Sequence, residues 1–218
     1  ILASNLAMKQ AEKLGINVAK IVVQDDIANA PREEAQNRRG MVGAIPLLKI
    51  AGAAALAGKS LEEVTTIAQG FADNMATLAV SESGATNPAT GMEIAQVAAG
   101  CMEVGVGLHG EAGKAKPMAT AEETVSAMLD ALLEDLNILA EEKLMVIVSG
   151  SGATSLMEQL IVYRNCYAYL VEKEIEKLNV SKNKYWEKVL ENSTVIKFPD
   201  GVIEDYINAY IDYYTQMA

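Results

Sequence analysis

The chain has 218 residues, of which 50% are hydrophobic and 22% are charged, so it can bury a core and is not a disordered tail. Its 29 acidic and 18 basic residues give a formal net charge of -11 at pH 7, which argues against nucleic acid or an anionic membrane surface as a partner. Two cysteines cannot form a disulfide framework, and neither a secretory leader nor a membrane segment is recognised, so we expect a cytoplasmic protein.

Before residue 75 the sequence predicts helices with apolar faces and one strand. In chain order the predicted elements are a helix over 5–14, a strand over 18–23, a charged loop over 32–40, an apolar helix over 41–57 and a helix over 61–74. Ser60 and Glu63 have the spacing of a capping box at the start of the last helix. Because Ile1 already lies within a helical pattern, we expect the natural chain to begin upstream of it.

The predicted strand over 18–23 is followed by two carboxylates, Asp25 and Asp26. A strand that delivers acidic side chains to a loop is a common place for a polar site in α/β proteins. The plainer interpretation is solvated loop charge with a turn or helix cap. The residues alone leave both interpretations open.

Beyond residue 75 short glycine-bearing strands replace the alanine-rich helices. In chain order the predicted elements are strands over 77–80 and 102–108, a helix over 121–140 with a capping box, a strand over 144–148, a helix to about 178, a strand over 195–198 and a Tyr-rich helix over 202–214. The alternation predicts an α/β fold with a largely parallel sheet. The change near 75 predicts two lobes, 1–74 and 75–180, followed by a tail over 181–218. The Tyr-rich helix either packs on the core or forms an interface.

Nucleotide and metal sites find little support in the sequence. The glycine loop at 150–154 could bind an anion or form a tight turn, but it lacks the lysine of a phosphate-binding Walker loop. One histidine and two cysteines far apart in the sequence do not match the ligand spacing of a zinc site. A magnesium site made of carboxylates stays open, but no motif supports it. The glycines around His109 do not match the dinucleotide fingerprint, so we expect no nicotinamide cofactor. No residue is assigned as a metal ligand.

The most informative segment is MEVGVGLHGEAG over 102–113. It ends a glycine-bearing strand pattern at His109, where Gly110 and other small neighbours leave room for a ligand. A neutral imidazole is a nucleophile toward a carbonyl and a base toward a hydroxyl. A lone histidine is also found as an ordinary surface or packed residue, and the residue type alone does not decide.

The sequence EVGVGLHGEAG resembles the segment of the dihydroxyacetone kinase K subunit in which a histidine bonds covalently to the substrate ketone. Three further segments follow the order of that family: VQDDIA, NRRGMVGAIPLLKIAGAAALAGKSLEEV and SGATSLMEQLIVYR. The resemblance covers residues 5–165 and implies a two-lobed fold with mainly parallel or mixed sheets flanked by helices. It also implies a homodimer, and capture of a short ketose such as dihydroxyacetone as a hemiaminal on His109, with Gly110 at the substrate.

The same resemblance implies that this chain binds no cofactor itself. The phosphoryl donor, either ATP with magnesium or ADP recharged by a phosphotransfer system, belongs to a nucleotide-carrying L domain or subunit. In such a kinase a hydroxyl of the captured ketose is the phosphoryl acceptor.

Several features of the family are missing here. They are a glycine-rich GGGSGHEP-like segment with a second histidine, a GD-containing strand end with an acid–base aspartate, the proline that Ala112 replaces, and the closing strand expected beyond about Tyr167. We therefore expect this chain alone to lack ATP-dependent kinase activity. The main hypothesis is a catalytic K subunit, and the alternatives are a non-catalytic K-like regulator or coactivator that senses dihydroxyacetone and a remnant that folds incompletely.

Overall fold

The computed structural model describes residues 2–94, 96–139 and 142–175, together with the backbone of 194–197. These residues contain five α-helices and eight short strands. The helices are α1 Leu2–Lys13, α2 Ala44–Leu56, α3 Leu61–Asp73, α4 Ala121–Leu136 and α5 Leu156–Glu172. The strands are β1 Met75–Thr77, β2 Val80–Ser81, β3 Ala85–Thr86, β4 Glu93–Ile94, β5 Cys101–Val104, β6 Lys114–Pro117, β7 Leu144–Ile147 and β8 Thr194–Lys197.

A three-stranded sheet in the order β1-β8-β7 separates two helical layers. Successive side chains of a strand point to opposite faces of the sheet. Ala76 and Leu144 therefore join an apolar cluster with α4 and α5, whereas Met75 and Met145 join a second cluster with α2 and α3. This α/β/α layering confirms the fold class expected from the sequence.

The expectation of a largely parallel sheet is wrong for the strands that the structure describes, because every ladder among them is antiparallel. Strands β1 and β7 do run in the same direction, since each is antiparallel to β8. They are not neighbours, however, because β8 lies between them. An isolated parallel bridge between Asp26 and Thr77 makes the overall pairing mixed.

The remaining described strands form two small antiparallel sheets. One has the order β2-β5-β6 and the other is the β3-β4 pair. The strand predicted over 102–108 ends at Val104, because Gly105 adopts a left-handed φ of 89° that turns the chain out of the sheet. The strand predicted over 77–80 divides between β1 and β2, which belong to different sheets.

The strand predicted over 18–23 and the loop predicted over 32–40 need correction. No regular strand forms over 18–23, although Ile21 and Val23 pack against the cluster of α2 and α3. The backbone of this segment pairs with β1 only beyond residue 23, where the Thr77 N–H donates to the carbonyl of Asp25 at 2.7 Å. The charged segment contains a short 3-10 helix over Arg32–Asn37.

The helix predictions are confirmed in type and placement for α1 to α4, and the predicted caps are present. Ser60 and Thr120 each form a capping box, and a third one, from Ser155 to Glu158, opens α5. Helix α4 ends before residue 140, because Asn137 adopts a left-handed φ of 51°. The predicted end of α5 near 178 and the Tyr-rich helix over 202–214 lie outside the described residues.

The predicted lobe boundary near residue 75 stays a prediction. The apolar cluster under α2 and α3 includes Met75, Met145 and Ile147, so segments on both sides of this position contribute to one core. None of the described helices combines the length and the apolar character needed to cross a membrane.

Candidate functional site

The loop between β5 and β6 presents His109 to solvent. Gly107 donates its N–H to the carbonyl of Glu111 at 2.9 Å, and Gly110 donates to the carbonyl of Gly107 at 3.0 Å, so the loop is closed by its own backbone. Gly110 has a left-handed φ of 83°, which favours glycine at this turn. The His109 side chain is 88% exposed, and a ligand can reach its ring.

The carboxylate of Glu111 contacts His109 in two places. Glu111 Oε1 lies 3.4 Å from the ring nitrogen Nδ1, and Oε2 accepts the backbone N–H of His109 at 3.0 Å. Hydrogen bonds from its own backbone N–H and from that of His109 lower the pKa of Glu111 below its ordinary value. A negative charge therefore lies beside Nδ1 at neutral pH.

Arg39 approaches the same carboxylate from the first half of the chain. Its Nη1 lies 4.0 Å from Glu111 Oε2, and its Nη2 donates to the carbonyl of Gly105 at 3.2 Å. The guanidinium is anchored on Asp26, whose Oδ2 lies 2.7 Å from Nε and 2.6 Å from Nη2. Alternating charges thus lead from buried Asp26 through Arg39 and Glu111 to His109.

Asp26 is 1% exposed, and burial raises the pKa of its carboxyl, while the charge of Arg39 opposes that rise. Its Oδ1 accepts the backbone N–H of Ala28 at 3.0 Å. Arg39 therefore compensates a carboxylate that would otherwise be costly to bury.

Asp25 is also buried, and the interpretation of the two aspartates as solvated loop charge is wrong. Asp25 accepts the N–H groups of Met41 and Gly43 at 2.6 and 3.0 Å and the hydroxyl of Thr77 at 2.5 Å. These contacts join the start of α2 to β1. Asp25 therefore fixes the backbone next to Asp26, the carboxylate that anchors Arg39.

The sequence predicted His109 and Gly110 as site residues, and the structure places both in one solvent-facing turn. It did not predict that Arg39, Asp26 and Glu111 form an ion chain leading to the ring. The signal that could have found the first two is their presence in the VQDDIA and NRRG segments. The roles of His109 and Gly110 toward a substrate stay predictions.

The glycine loop at 150–154 forms a tight turn. The N–H groups of Ala153 and Thr154 both donate to the carbonyl of Gly150 at 3.0 Å, and buried Gln159 donates to the carbonyl of Thr154 at 2.8 Å. These two N–H groups are therefore engaged within the turn. Within the described part of the chain, no group of three or more His, Cys, Asp or Glu residues is placed to hold a metal ion.

Comparison with known proteins identifies the family to which this chain belongs. The family model of the Dak1 domain matches residues 1–192, so the chain belongs to the Dak1 family. The PTS-dependent dihydroxyacetone kinase 2, dihydroxyacetone-binding subunit DhaK of Listeria innocua is 34% identical over 172 residues, which cover 78% of this chain and 51% of that protein. The chain spans about half the length of the curated relatives it matches.

Solved structures show the same fold. The dihydroxyacetone kinase operon co-activator Dha-DhaQ superposes with a TM-score of 0.79 at 25% identity, covering 93% of this chain and 64% of that chain. The dihydroxyacetone kinase of C. freundii in complex with AMP-PNP and Mg2+ superposes with a TM-score of 0.74 at 26% identity, covering 93% of this chain and 37% of that one.

Proposed function

We propose that this chain is part of a dihydroxyacetone-binding K subunit, and that His109 captures a short ketose as a hemiaminal. The observation that carries the proposal is the exposed ring of His109 beside a charged carboxylate, in the segment that most resembles the K subunit of a dihydroxyacetone kinase. Membership of the Dak1 family and relatives named as dihydroxyacetone-binding subunits support it.

The chemistry of capture follows from the ring. A nitrogen lone pair of the neutral imidazole attacks the ketone carbon, a C–N bond forms, and the carbonyl electrons move to oxygen. The ring loses its N–H proton, the oxygen gains one from water, and the product is a neutral carbinolamine. Glycerol has no carbonyl and cannot form this bond, so the mechanism selects ketoses and aldoses over polyols.

In this proposal a hydroxyl of the captured ketose then receives a phosphoryl group from a nucleotide carried by an L domain or subunit. That nucleotide is either ATP with Mg or an ADP that a phosphotransfer system recharges. We also propose a cytoplasmic homodimer, with lobes over 1–74 and 75–180 and a tail over 181–218. Gly110 would lie against the substrate.

The test is NMR of the chain with dihydroxyacetone labelled with ¹³C at its carbonyl. We expect a carbinolamine carbon signal with the wild-type chain and none with His109→Ala, since His109 is the chain's only histidine. The matched control is Asn87→Ala, which removes a polar side chain from the exposed β3–β4 turn. Equal ketone binding by wild type and His109→Ala would refute the proposal.

A second candidate is a K-like coactivator that senses dihydroxyacetone, and it is supported by the superposition on the co-activator Dha-DhaQ with a TM-score of 0.79. Both candidates predict the carbinolamine. Phosphoryl transfer to dihydroxyacetone in the presence of an L subunit and its donor distinguishes them, because only the kinase subunit supports turnover. The chain without a partner is expected to show no ATP-dependent turnover.

A further inference from the structure

We propose that Glu111 is a positioning residue that keeps the proton of the neutral His109 ring on Nδ1 and so leaves the lone pair of Nε2 free for the carbonyl, and that Arg39, seated on Asp26, holds Glu111 in place. This inference deepens the proposed function and rests on it for its role in ketose capture. The statement about the ring proton can be tested without any ketose.

The two oxygens of Glu111 engage two parts of one residue. Oε2 accepts the backbone N–H of His109 at 3.0 Å, and Oε1 lies 3.4 Å from Nδ1 of the same residue. The Glu111 carboxylate therefore couples the orientation of the His109 ring to the backbone of His109. An exposed ring without this contact would rotate freely between rotamers.

Charge then selects the tautomer. The pKa of Glu111 is lowered by backbone hydrogen bonds, so its side chain is an ionised group that only accepts hydrogen bonds. A neutral imidazole has one N–H donor and one bare nitrogen acceptor. Because the Glu111 carboxylate faces Nδ1, it favours the tautomer that carries the proton on Nδ1. The lone pair of the neutral ring then lies on Nε2.

Arg39 restrains the carboxylate from the other side. Its Nη1 lies 4.0 Å from Glu111 Oε2, and it is itself held by Asp26 and by the carbonyl of Gly105. Since Asp26 is buried, the guanidinium has a rigid base. Glu111 is thus drawn toward a fixed positive charge and stays beside Nδ1 of His109.

Gly107 provides the space in which the two charged groups meet. A Cβ at this position would lie 2.6 Å from Arg39 Nη1 and would overlap Glu111 Oε2, both of which are the ends of flexible side chains. Gly107→Ala is therefore expected to displace the ion pair rather than the backbone. Alanine at Gly105 or Gly113 would instead meet Ala28 Cβ or the Val104 carbonyl at 2.5 Å and disturb the loop itself.

The experiment uses ¹⁵N-histidine labelling, because one histidine gives one ring spectrum. At a pH where the ring is neutral, we expect wild type to show a protonated Nδ1 and a bare Nε2. In Glu111→Ala the proton should shift toward Nε2, the tautomer that free histidine side chains favour in water. Gly107→Ala should shift it the same way, and Glu93→Ala, which removes an exposed carboxylate on β4, should not.

Capture of ¹³C-labelled dihydroxyacetone by Glu111→Ala should weaken by about tenfold, the scale of losing one charge-assisted hydrogen bond. A wild-type ring protonated at Nε2, or a tautomer unchanged in both Glu111→Ala and Gly107→Ala, would overturn the inference. Absence of any carbinolamine in wild type would overturn the proposed function, whereas the tautomer spectra would still decide the assignment of Glu111.

Discussion

The buried charge of Asp26 helps to position the groups around His109. Asp26 is almost fully buried and has its charge matched by Arg39, which reaches it from 13 residues further along the chain. An ion pair with one buried partner adds little net stability over apolar residues, but removing Arg39 leaves the buried charge of Asp26 uncompensated. The pair therefore places Arg39 next to the loop of His109 and makes the arginine hard to replace.

Arg39→Gln should destabilise the fold in a pH-dependent way. Burial raises the folded-state pKa of Asp26, so its contribution to stability is most favourable below the unfolded pKa and declines as pH rises through the folded value. Without Arg39 the rise in pKa is unopposed, and the loss relative to wild type should grow from acidic pH to a neutral-pH value of about 3 kcal/mol.

Urea denaturation at several pH values measures this loss. The double variant Asp26→Asn with Arg39→Gln is the control, since it removes both charges together. We expect the double variant to be more stable than Arg39→Gln alone at neutral pH. A destabilisation by Arg39→Gln that does not vary with pH would contradict the assignment of Asp26 as the titrating group.

At the scale of elements, three helices begin with the same local device. In α3, α4 and α5 a Ser or Thr side chain accepts the N–H three residues on, and the Glu at that position accepts the N–H of the cap. These hydrogen bonds favour the ionised carboxylate: at Glu63 the backbone N–H of Ser60, followed by Lys59 and the Ser60 hydroxyl, lowers the pKa to about 2. These contacts are local, so they form wherever the sequence has the spacing.

Thr120→Ala should lower the free energy of unfolding by about 1 kcal/mol, because it removes the acceptor for the Glu123 N–H at the start of α4. The same substitution at Thr66, on the exposed surface of α3, is the matched control and should be neutral or slightly stabilising, since alanine has the higher helix propensity. Chemical denaturation compares the two. Equal effects at both positions would show that the cap of α4 is not important for stability.

At the scale of the whole molecule, Asp135 connects segments far apart in the chain. It lies in the last turn of α4 and pairs with Arg32 and Arg38, which precede α2. The Arg38 side chain is 0% exposed, and Arg32 also donates to the carbonyls of Asp73 and Met75 at 3.1 Å. A carboxylate is unfavourable at a helix C-terminus, and two guanidinium groups compensate for that here.

Asp135→Asn should destabilise the chain by about 3 kcal/mol, because it leaves the buried charge of Arg38 without its counter-ion. Glu134→Gln is the matched control, since Glu134 precedes it in the same turn of α4 and is exposed. That change should stay within about 0.5 kcal/mol, as for most surface substitutions. Equal urea midpoints for the two variants would rule out this role for Asp135.

The sequence by itself determined the features that depend on neighbouring residues. Helix positions follow from apolar spacing and capping pairs such as Ser60 with Glu63, since the groups that stabilise each end lie within one turn. The α/β class follows from the alternation of such patterns. His109 was found because its segment is recognisable in itself.

Only the tertiary structure decided which distant segments meet. No local pattern shows that β8 lies between β1 and β7, because strand pairing joins backbone groups far apart in sequence. The same holds for Asp25 and Asp26, whose residue type predicts exposure and whose burial depends on donors from Thr77 and Arg39. Hydrogen bonds and ion pairs across such separations form only when the whole core assembles, and that assembly sets the charges around His109.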